Sequence, residues 1–595
     1  MTKTSGKYPK GKLAWLWENI KGYRAWYITA MAVTVIYNIL TLTIPYFSGQ
    51  IVDQYLSGPN AAENLATNRQ GFYNLLILMV VLTIVRSVLV YCDCMSYEFV
   101  SQRALYRIRN FLYNKIERQD MTFYSTYRTG DLMTRVTGDL DAVRHMLAWV
   151  VRMLVESFSL FTATSLFFLY LNWKMALCLL VVAPFAFIVI YKFRREVSPR
   201  HKLLREKLAQ MNTYAQENIS GNRVVKAFAR EDFEKEKFDR SNTEFAETNK
   251  KTAKTWLKYF PYIASICNLL PFILLIVGGI FLINGELTMG QYVSFSGLTW
   301  AITGPMQQMG NIMNEFQRFS AAADKVMEIY YSEAKIKDAD DAIAHPEHFD
   351  GKVEFRDVSF QYEDGDLPVL YNISFTANPG DTIAIMGETG CGKSSLIHLI
   401  TRFYEPTEGE ILIDDIPIRT LKLSDLRRGI GLATQDVLLY SDSIEGNIAY
   451  GDMKLSHSNV EKVARYSQSS EFIHKMPEGY DTIVGERGVG LSGGQKQRLS
   501  LARALAIKPS VLILDDTTSA VDMETEKLIQ EALHELDFSC TKIIIAQRIS
   551  STKSADKILI LQHGRITESG THEELIAKKG YYYELVKLQT GLQEL

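Results

Sequence analysis

Long apolar runs separated by polar segments occupy the first half of the chain. A helix needs about 20 apolar residues to cross the hydrocarbon core of a bilayer, and six runs approach or reach that length. They are Trp26–Ile44, Phe72–Cys92, Leu147–Leu171, Met175–Tyr191, Phe260–Ile283 and Tyr292–Met313. One such run could be a helix in a soluble core, but six together predict an α-helical transmembrane domain of six helices.

Polar residues within these runs predict further features of this domain. Pro45 is expected to bend or end the first helix. The last run contains Thr299, Gln307 and Gln308. It is therefore too polar to face lipid on all sides, and we expect it to line a water-accessible path.

Three charged residues also lie within the runs. Arg86 interrupts the second, and Arg152 and Glu156 are four residues apart in the third. Charges at such depth usually face a cavity or each other. Arg152 and Glu156 are therefore interpreted either as an internal ion pair or as part of a substrate site.

Basic residues predict the orientation of this domain. They cluster after the second and fourth runs, whereas the connections after the third and fifth runs are short. The clusters are Arg103, Arg107, Arg109, Lys115 and Arg118, and Lys192, Arg194, Arg195, Arg200, Lys202, Arg205 and Lys207. Because cytoplasmic segments are rich in Lys and Arg, both termini and the two long connections are expected in the cytoplasm. These connections should be helical extensions, each with a glycine-marked break at 127–131 or 218–222.

The pattern changes after the predicted transmembrane domain, which we assign to residues 1–333. A charged linker over 334–351 is followed by short β-branched runs that alternate with helical stretches, which is typical of α/β layering. Residues 352–595 are therefore predicted to form a soluble α/β domain. Its strands include Thr382–Met386 and Val511–Leu514.

Charge and cysteine content exclude some classes of protein. The 595 residues include 65 Lys and Arg and 67 Asp and Glu, a net charge of −2. Nucleic-acid binding through bulk positive charge is therefore not expected. The six cysteines are too sparse for a disulfide scaffold and do not have the spacing of a zinc site.

A glycine-rich loop follows the strand Thr382–Met386. The loop and its flank read Gly387-Glu388-Thr389-Gly390-Cys391-Gly392-Lys393-Ser394-Ser395. This is the pattern G-x-x-x-x-G-K-[ST], in which backbone N–H groups wrap a phosphate chain. Lys393 would reach the β- and γ-phosphates, and Ser394 would ligate Mg²⁺. The second strand, Val511–Leu514, ends in Asp515 and Asp516, and a carboxylate at that position is a further Mg²⁺ ligand.

A third motif, Leu491-Ser492-Gly493-Gly494-Gln495, lies between these two. In this order the three motifs resemble those of an ABC-transporter ATPase, and six preceding spans make the chain similar to a half-size, multidrug-type ABC exporter. The resemblance implies export driven by ATP with Mg²⁺. It also implies a dimer in which each Leu491–Gln495 segment acts on the nucleotide held by the facing chain.

Further residues match the family pattern and take their expected roles from it. Tyr362 would stack on adenine, Gln435 would contact Mg²⁺ and sense the γ-phosphate, and Ser519 and Asp522 would form the D-loop at the dimer interface. The regions of Gly130 and Gly221 resemble the two coupling helices. The segment Gly485-Glu486-Arg487-Gly488 resembles the loop that contacts the cytoplasmic extensions.

Two departures from the family pattern affect hydrolysis. The family places a glutamate where this chain has Asp516 and a histidine where it has Gln547. Both are degenerate catalytic positions, while the binding residues Lys393, Ser394 and Asp515 are intact. The chain thus resembles the degenerate subunit of a heterodimeric bacterial ABC exporter, which binds ATP but hydrolyses it slowly. Tolerated drift is the plainer interpretation of the two departures.

The resemblance implies a substrate that is an amphiphilic small molecule, drug, lipid or peptide, and a location in the plasma membrane. It also implies a second ABC half-transporter as partner. Two alternatives stay open, a homodimeric exporter or lipid flippase and an ATP-gated channel or regulator on the same scaffold.

Overall fold

A computed structural model describes residues 11–57, 61–344, 348–485 and 488–590. The described chain forms two compact units. One comprises residues within Met1–Glu117 and Thr129–Ser332, and the other comprises Arg118–Arg128 together with residues within Glu333–Leu595.

The first unit is helical throughout. Its helices are α1 Lys12–Asn19, α2 Arg24–Ile51, α3 Ala61–Thr67, α4 Arg69–Glu117, α6 Thr129–Thr134, α7 Leu140–His145, α8 Val151–Leu171, α9 Trp173–Leu180, α10 Val182–Ser220, α11 Asn222–Ala227, α12 Glu231–Ile273, α13 Gly279–Ile283 and α14 Met289–Tyr330; the short helix α5, Met121–Thr126, belongs to the second unit. Four π-helical turns continue α2, α6, α7 and α12, at Val52–Leu56, Arg135–Asp139, Met146–Val150 and Leu274–Gly278.

Four continuous helical segments among the described residues are long and apolar enough to cross a membrane. They are Arg24–Leu56, Arg69–Glu117, Thr129–Leu171 and Glu231–Ile283. They contain the first, second, third and fifth predicted spans.

The predicted count of six spans is not confirmed. The fourth predicted run is divided between α9 and α10, which separate at Val181. Pro184 lies in the first turn of α10, where a helix tolerates its missing N–H group. The sixth predicted run lies in α14, which is not among the four apolar segments.

Three local expectations can be compared with the helices. Pro45 does not end α2, which continues to Ile51. A break falls in each predicted interval, because α5 ends before Tyr127 and α10 ends at Ser220, but Gly130 itself lies inside α6.

Of the two interpretations of Arg152 and Glu156, the ion pair between them is not formed, because Arg152 pairs with another residue. Arg152 on α8 donates from Nε to Asp93 Oδ2 on α4 at 2.9 Å, and the Asp93 side chain is 0% exposed. Thr34 donates to the other carboxylate oxygen at 2.8 Å. Burial of Asp93 explains why Arg152 pairs with it, because a buried carboxylate must be paired. Arg86 donates to Thr41 Oγ1 at 2.8 Å.

The second unit has the predicted α/β composition, so the fold class of a helical domain followed by an α/β domain is confirmed. Its strands are β1 Val353–Phe360, β2 Leu370–Ala377, β3 Thr382–Met386, β4 Glu408–Ile413, β5 Ile416–Pro417, β6 Ile430–Ala433, β7 Val511–Asp515, β8 Thr541–Ile545, β9 Lys557–Gln562 and β10 Arg565–Gly570. Its further helices are α15 Lys393–Ile400, α16 Leu423–Arg428, α17 Ile444–Ile448, α18 His457–Tyr466, α19 Ser470–His474, α20 Gly493–Ala506, α21 Met523–His534, α22 His572–Lys578 and α23 Tyr581–Thr590.

Two sheets organise this unit. An antiparallel sheet has the order β2-β1-β4-β5, and the larger sheet has the order β10-β9-β3-β8-β7-β6 with parallel pairing from β9 to β6. Both faces of β3 are buried, with Ile383 and Ile385 in one hydrophobic cluster and Ala384 and Met386 in another. Since ligands of open α/β sheets bind at the carboxyl ends of the strands, the loops after β3, β8, β7 and β6 define the candidate site.

Candidate nucleotide-binding site

The loop between β3 and α15 needs glycine at its ends. Gly387 has φ +152° and Gly392 has φ +105°. A Cβ atom at Gly387 would lie 2.1 Å from the Leu561 carbonyl oxygen, and one at Gly392 would lie 2.7 Å from Leu370 Cδ2. The tight curl of this loop therefore depends on residues without side chains.

Lys393 begins α15 and folds back over this loop. Its Nζ donates to the carbonyl oxygens of Gly387 and Glu388, both at 2.7 Å. The ammonium group thus lies where the phosphate chain of a nucleotide would be wrapped. Phosphate oxygens would be stronger acceptors than these carbonyl groups, because such bonds are charge-assisted on both sides.

Ser394 and Asp515 lie together, as the sequence predicts for two Mg²⁺ ligands. Ser394 Oγ donates to Asp515 Oδ2 at 3.4 Å, although Ser394 lies in α15 and Asp515 is the last residue of β7. Burial raises the pKa of Asp515, and the hydrogen bond from Ser394 offsets part of that effect. A carboxylate beside a hydroxyl oxygen is a donor set that suits Mg²⁺.

The two degenerate positions face each other. Gln547 Nε2 lies 3.5 Å from Asp516 Oδ2. Asp516 has φ +48°, and its N–H donates to the Ile545 carbonyl oxygen on β8 at 3.0 Å. Burial raises the pKa of Asp516, while Arg548 lowers it.

Tyr362 is hydrogen-bonded to the first turn of α15. Its hydroxyl lies 2.8 Å from Ser395 Oγ, and its ring packs edge-on against Phe360 and Tyr404, with centroids 4.7 and 5.1 Å away. These contacts fix an aromatic ring beside α15. Gln435 is exposed just after β6, the outermost strand of the parallel set.

The segment Leu491–Gln495 forms the beginning of α20. Ser492 is the N-cap: its Oγ accepts the Gln495 N–H at 3.3 Å, and Gln495 Oε1 accepts the Ser492 N–H at 2.9 Å. This capping box begins the helix at Gly493. It leaves Ser492 and Gly493 exposed at the positive end of a helix dipole.

The D-loop packs beside this helix start. A Cβ atom at Gly494 would lie 2.7 Å from the Ala520 carbonyl oxygen. Gln497 on α20 donates to Ser519 Oγ at 3.1 Å and accepts the Ala520 N–H at 3.0 Å. Asp522 caps α21 by accepting the Thr525 N–H at 2.8 Å, and this bond lowers the pKa of Asp522.

Sequence reasoning did not identify Gln497, Arg548 or Glu526. Arg548 pairs with Glu526 at 3.3 Å and donates to the carbonyl oxygens of Ser519 and Val521 at 3.1 and 3.3 Å. Glu526 is 3% exposed. The position of Arg548 directly after Gln547 was an available signal, but its partners lie more than 20 residues away along the chain.

Hydrogen bonds connect most of the predicted residues. Ser394 contacts Asp515, Asp516 contacts Gln547, and Ser519 of the D-loop donates from Oγ to the Asp516 carbonyl oxygen at 2.9 Å. The D-loop therefore connects α20, through Gln497, to the carboxylates after β7. Within the part of the chain that the structure describes, no hydrogen bond or ion pair joins Leu491–Gln495 to the phosphate-binding loop. Glu486 and Arg487, in the predicted contact loop, lie outside the described residues.

The residues present fit ATP and Mg²⁺. The loop Gly387–Gly392 offers a curl closed to side chains, Lys393 offers a cation whose partners are two carbonyl oxygens and the Cys391 sulfur, and Asp515 with Ser394 offers hard oxygen ligands. A bound Mg²⁺ would neutralise phosphate charge as the nucleotide is held.

Comparison with known families agrees with this site. Residues 27–306 match the family described as ABC transporter transmembrane region, and residues 370–519 match the family described as ABC transporter.

Three relatives match most of the chain. The uncharacterized ABC transporter ATP-binding protein YknU of Bacillus subtilis is 41% identical, covering 82% of this chain and 83% of its own length. The ATP-dependent lipid A-core flippase of Syntrophus aciditrophicus is 36% identical, covering 84% and 82%. A putative multidrug export ATP-binding/permease protein of Staphylococcus aureus is 35% identical, covering 93% and 96%.

A solved structure extends the match to the fold. A bacterial Atm1-family ABC exporter with ATP bound superposes with a TM-score of 0.79 at 27% identity, over 95% of this chain and 99% of that one. The chain therefore belongs to the ABC transporter family, as an ATPase-coupled membrane transporter with the fold of an Atm1-family exporter.

Proposed function

We propose that this chain is the ATP-retaining half of a heterodimeric exporter in the plasma membrane, with both termini and the ATPase domain in the cytoplasm. A second ABC half-transporter would supply the site that hydrolyses ATP efficiently. The cargo would be an amphiphilic small molecule, drug, lipid or peptide.

The contact between Asp516 and Gln547 carries this proposal. A carboxylate that orients water on the γ-phosphate must reach it, and Asp516 is one carbon–carbon bond, about 1.5 Å, shorter than the family's glutamate. A displacement of about 1 Å can cost on the order of 100-fold in rate. Gln547 can donate to a phosphate, but it cannot carry the positive charge of a histidine.

The binding residues support retention of ATP. Lys393, Ser394 and Asp515 keep the family identities, and Tyr362 is hydrogen-bonded to the neighbouring Ser395. Ser394, Asp515 and Gln435 would hold Mg²⁺. A site that keeps its binding residues and alters its hydrolysis residues should stay occupied.

The segment Leu491–Gln495 supports a role for this chain in the partner's turnover. It keeps the family's residues, and Ser492 is exposed at the N-terminal, positive end of the α20 dipole. Such a helix start favours an anion. In this family the anion is the γ-phosphate held by the facing chain, so the intact segment would complete the partner's site.

The cargo class is supported by a cavity in the helical unit. This cavity, of about 1290 Å³, lies between α10, α12 and α14. Trp256 and Phe260 stack in its wall with centroids 4.3 Å apart. Three cationic side chains, Arg205, Arg318 and Lys325, line it with one carboxylate, Asp139, which pairs with Lys325 at 3.7 Å. Aromatic and cationic walls together suit an amphiphile with an anionic head group, and the names of two relatives, for multidrug export and lipid A-core flipping, agree with an amphiphile.

Copurification of the tagged chain from its native membrane tests the pairing. The proposal requires a second, different half-transporter in equal amount that carries a glutamate after its own magnesium-binding aspartate. Recovery of only this chain, as a dimer with robust ATP turnover, would establish the homodimeric alternative. Uphill transport in proteoliposomes separates an exporter from an ATP-gated channel.

A further inference from the structure

The C-terminal helix α23 lies against the segment that carries Gln547. Tyr582 is 0% exposed, and with Val586 it packs in one hydrophobic cluster with Ile549 and with Ala384 and Met386 of β3. The helix is therefore anchored beneath both the strand that leads to the phosphate-binding loop and the loop that follows β8.

The first turn of α23 is fixed as well. The Glu568 carboxylate accepts the N–H groups of Tyr581 and Tyr582, at 2.5 and 3.2 Å. The ring of Tyr582 makes a further contact through its hydroxyl, which lies 2.7 Å from His572 Nδ1. These contacts anchor the first turn of α23 to β10 and α22.

Gln589, in the last turn of α23, contacts the backbone on both sides of Arg548. Its Nε2 donates to the Gln547 carbonyl oxygen at 2.7 Å, and its Oε1 accepts the Ile549 N–H at 3.0 Å. One side-chain amide thus satisfies a donor and an acceptor of the same short segment. Arg548, between these two residues, pairs with Glu526 and donates to the D-loop carbonyl oxygen of Ser519.

We propose that Gln589 is a positioning residue for the segment Gln547–Ile549, through which α23 sets how firmly the ATP held by this chain is retained. The two hydrogen bonds fix the backbone position from which the Gln547 side chain extends. The amide of Gln547 can then stay close to Asp516 and to a γ-phosphate. Without them only the contacts of Arg548 would hold the segment, and Gln547 would lose its contact with phosphate more often.

Two substitutions of Gln589 and a neighbouring control separate this role from general stability. Gln589→Ala removes both hydrogen bonds, whereas Gln589→Glu keeps the acceptor for the Ile549 N–H and loses the donor to Gln547. Leu588→Ala changes the same turn at a side chain that is 80% exposed. Size-exclusion profiles and thermal unfolding of the full-length transporter check that each variant folds.

Amide hydrogen exchange at Ile549 measures the contact with Gln589 directly. Exchange should accelerate by about ten-fold or more in Gln589→Ala, stay slow in Gln589→Glu and be unchanged in Leu588→Ala. Unchanged exchange in Gln589→Ala would overturn the proposed contact.

Release of labelled ATP from the assembled transporter measures the consequence. Saturating occupancy should be unchanged in Gln589→Ala, while the release half-time shortens about three- to ten-fold, as expected when one hydrogen bond is lost; Gln589→Glu should fall between. Faster exchange at Ile549 with an unchanged release half-time would overturn the positioning role.

The retention readout rests on the proposed function, and the same experiment reports whether that function fails. If the unsubstituted chain releases ATP as fast as it turns it over, the retaining role is wrong. Loss of the two Gln589 hydrogen bonds would then affect steady-state turnover, and Gln589→Ala should show a lower kcat with unchanged KM. A normal kcat in that variant would overturn the positioning role of Gln589 as well.

Discussion

Gln547 and Asp516, the two positions at which this chain departs from the exporter pattern, contact each other, with Gln547 Nε2 3.5 Å from Asp516 Oδ2. The departures therefore form one local change rather than two independent ones. An amide donor beside a short carboxylate can hold it in place. Neither side chain reaches as far toward a γ-phosphate as a glutamate at position 516 would.

Restoring both residues should increase hydrolysis at this chain's site. We expect Asp516→Glu combined with Gln547→His to raise single-turnover ATP cleavage by about ten-fold or more, because general-base and orienting groups contribute about 10²–10⁴-fold. Each single substitution should give less than the pair, since the side chains contact each other. An absence of any gain would mean that other residues disable the site.

Lys393→Ala should abolish retention of ATP at this site. Hydrogen bonds to charged groups contribute about 1.5–3 kcal/mol, so affinity should fall by about ten-fold or more. The measurement is labelled-nucleotide occupancy in the assembled transporter, and Asp516→Ala is the matched variant that should keep its occupancy. Unchanged occupancy in Lys393→Ala would contradict the assignment of the phosphate-binding loop.

Arg548→Ala should destabilise the ATPase domain through Glu526. Glu526 is buried while Arg548 is partly exposed, so removing the arginine leaves a buried carboxylate with only its hydroxyl donors, Thr518 and Ser551. We expect a loss of about 1–2 kcal/mol after allowing for solvent screening. Thermal unfolding measures the loss, and adding Glu526→Gln should recover part of it; an additive double variant would exclude the coupling.

Magnesium-dependent nucleotide binding should weaken on acidification sooner than an ordinary aspartate would allow. Burial raises the pKa of Asp515. A carboxyl group with a raised pKa becomes protonated at a higher pH, and the protonated group is a poor Mg²⁺ ligand. Titration of Mg²⁺ at stepwise lower pH should show this weakening above the usual range of aspartate, and Asp515→Asn should remove both the magnesium and the pH dependence. A constant Mg²⁺ affinity down to the ordinary pKa of aspartate would contradict it.

Local patterns in the sequence predicted the elements of the site closely. The strand Thr382–Met386 has the bounds that its apolar run predicts, and β7 extends the predicted Val511–Leu514 by one residue, Asp515. Such runs are readable because both faces of a central parallel strand are buried. The loops that follow these strands then meet at one edge of the sheet.

Contacts between distant residues were not predictable in the same way. Spacing along one helix suggested Glu156 as the partner of Arg152, but the buried Asp93 on a neighbouring helix takes that place. The contacts of Gln497 and Gln589 likewise depend on how separate elements pack, which periodicity along the chain does not encode. The break at Val181 interrupts an otherwise continuous apolar run, so hydropathy alone did not reveal it.

The central claim is a division of labour, in which this chain retains ATP and completes the partner's site. The most direct test compares Ser492→Arg with Asp516→Ala in purified heterodimer at saturating ATP. Because Ser492 also caps α20, Ser492→Asn is the matched control, since it keeps a capping side chain without bulk or charge.

We predict that Ser492→Arg reduces total ATPase and transport by about 100-fold, whereas Asp516→Ala reduces them by no more than about two-fold and Ser492→Asn keeps assembly and folding. Equal losses in Ser492→Arg and Asp516→Ala, or a larger loss in Asp516→Ala, would contradict the division of labour.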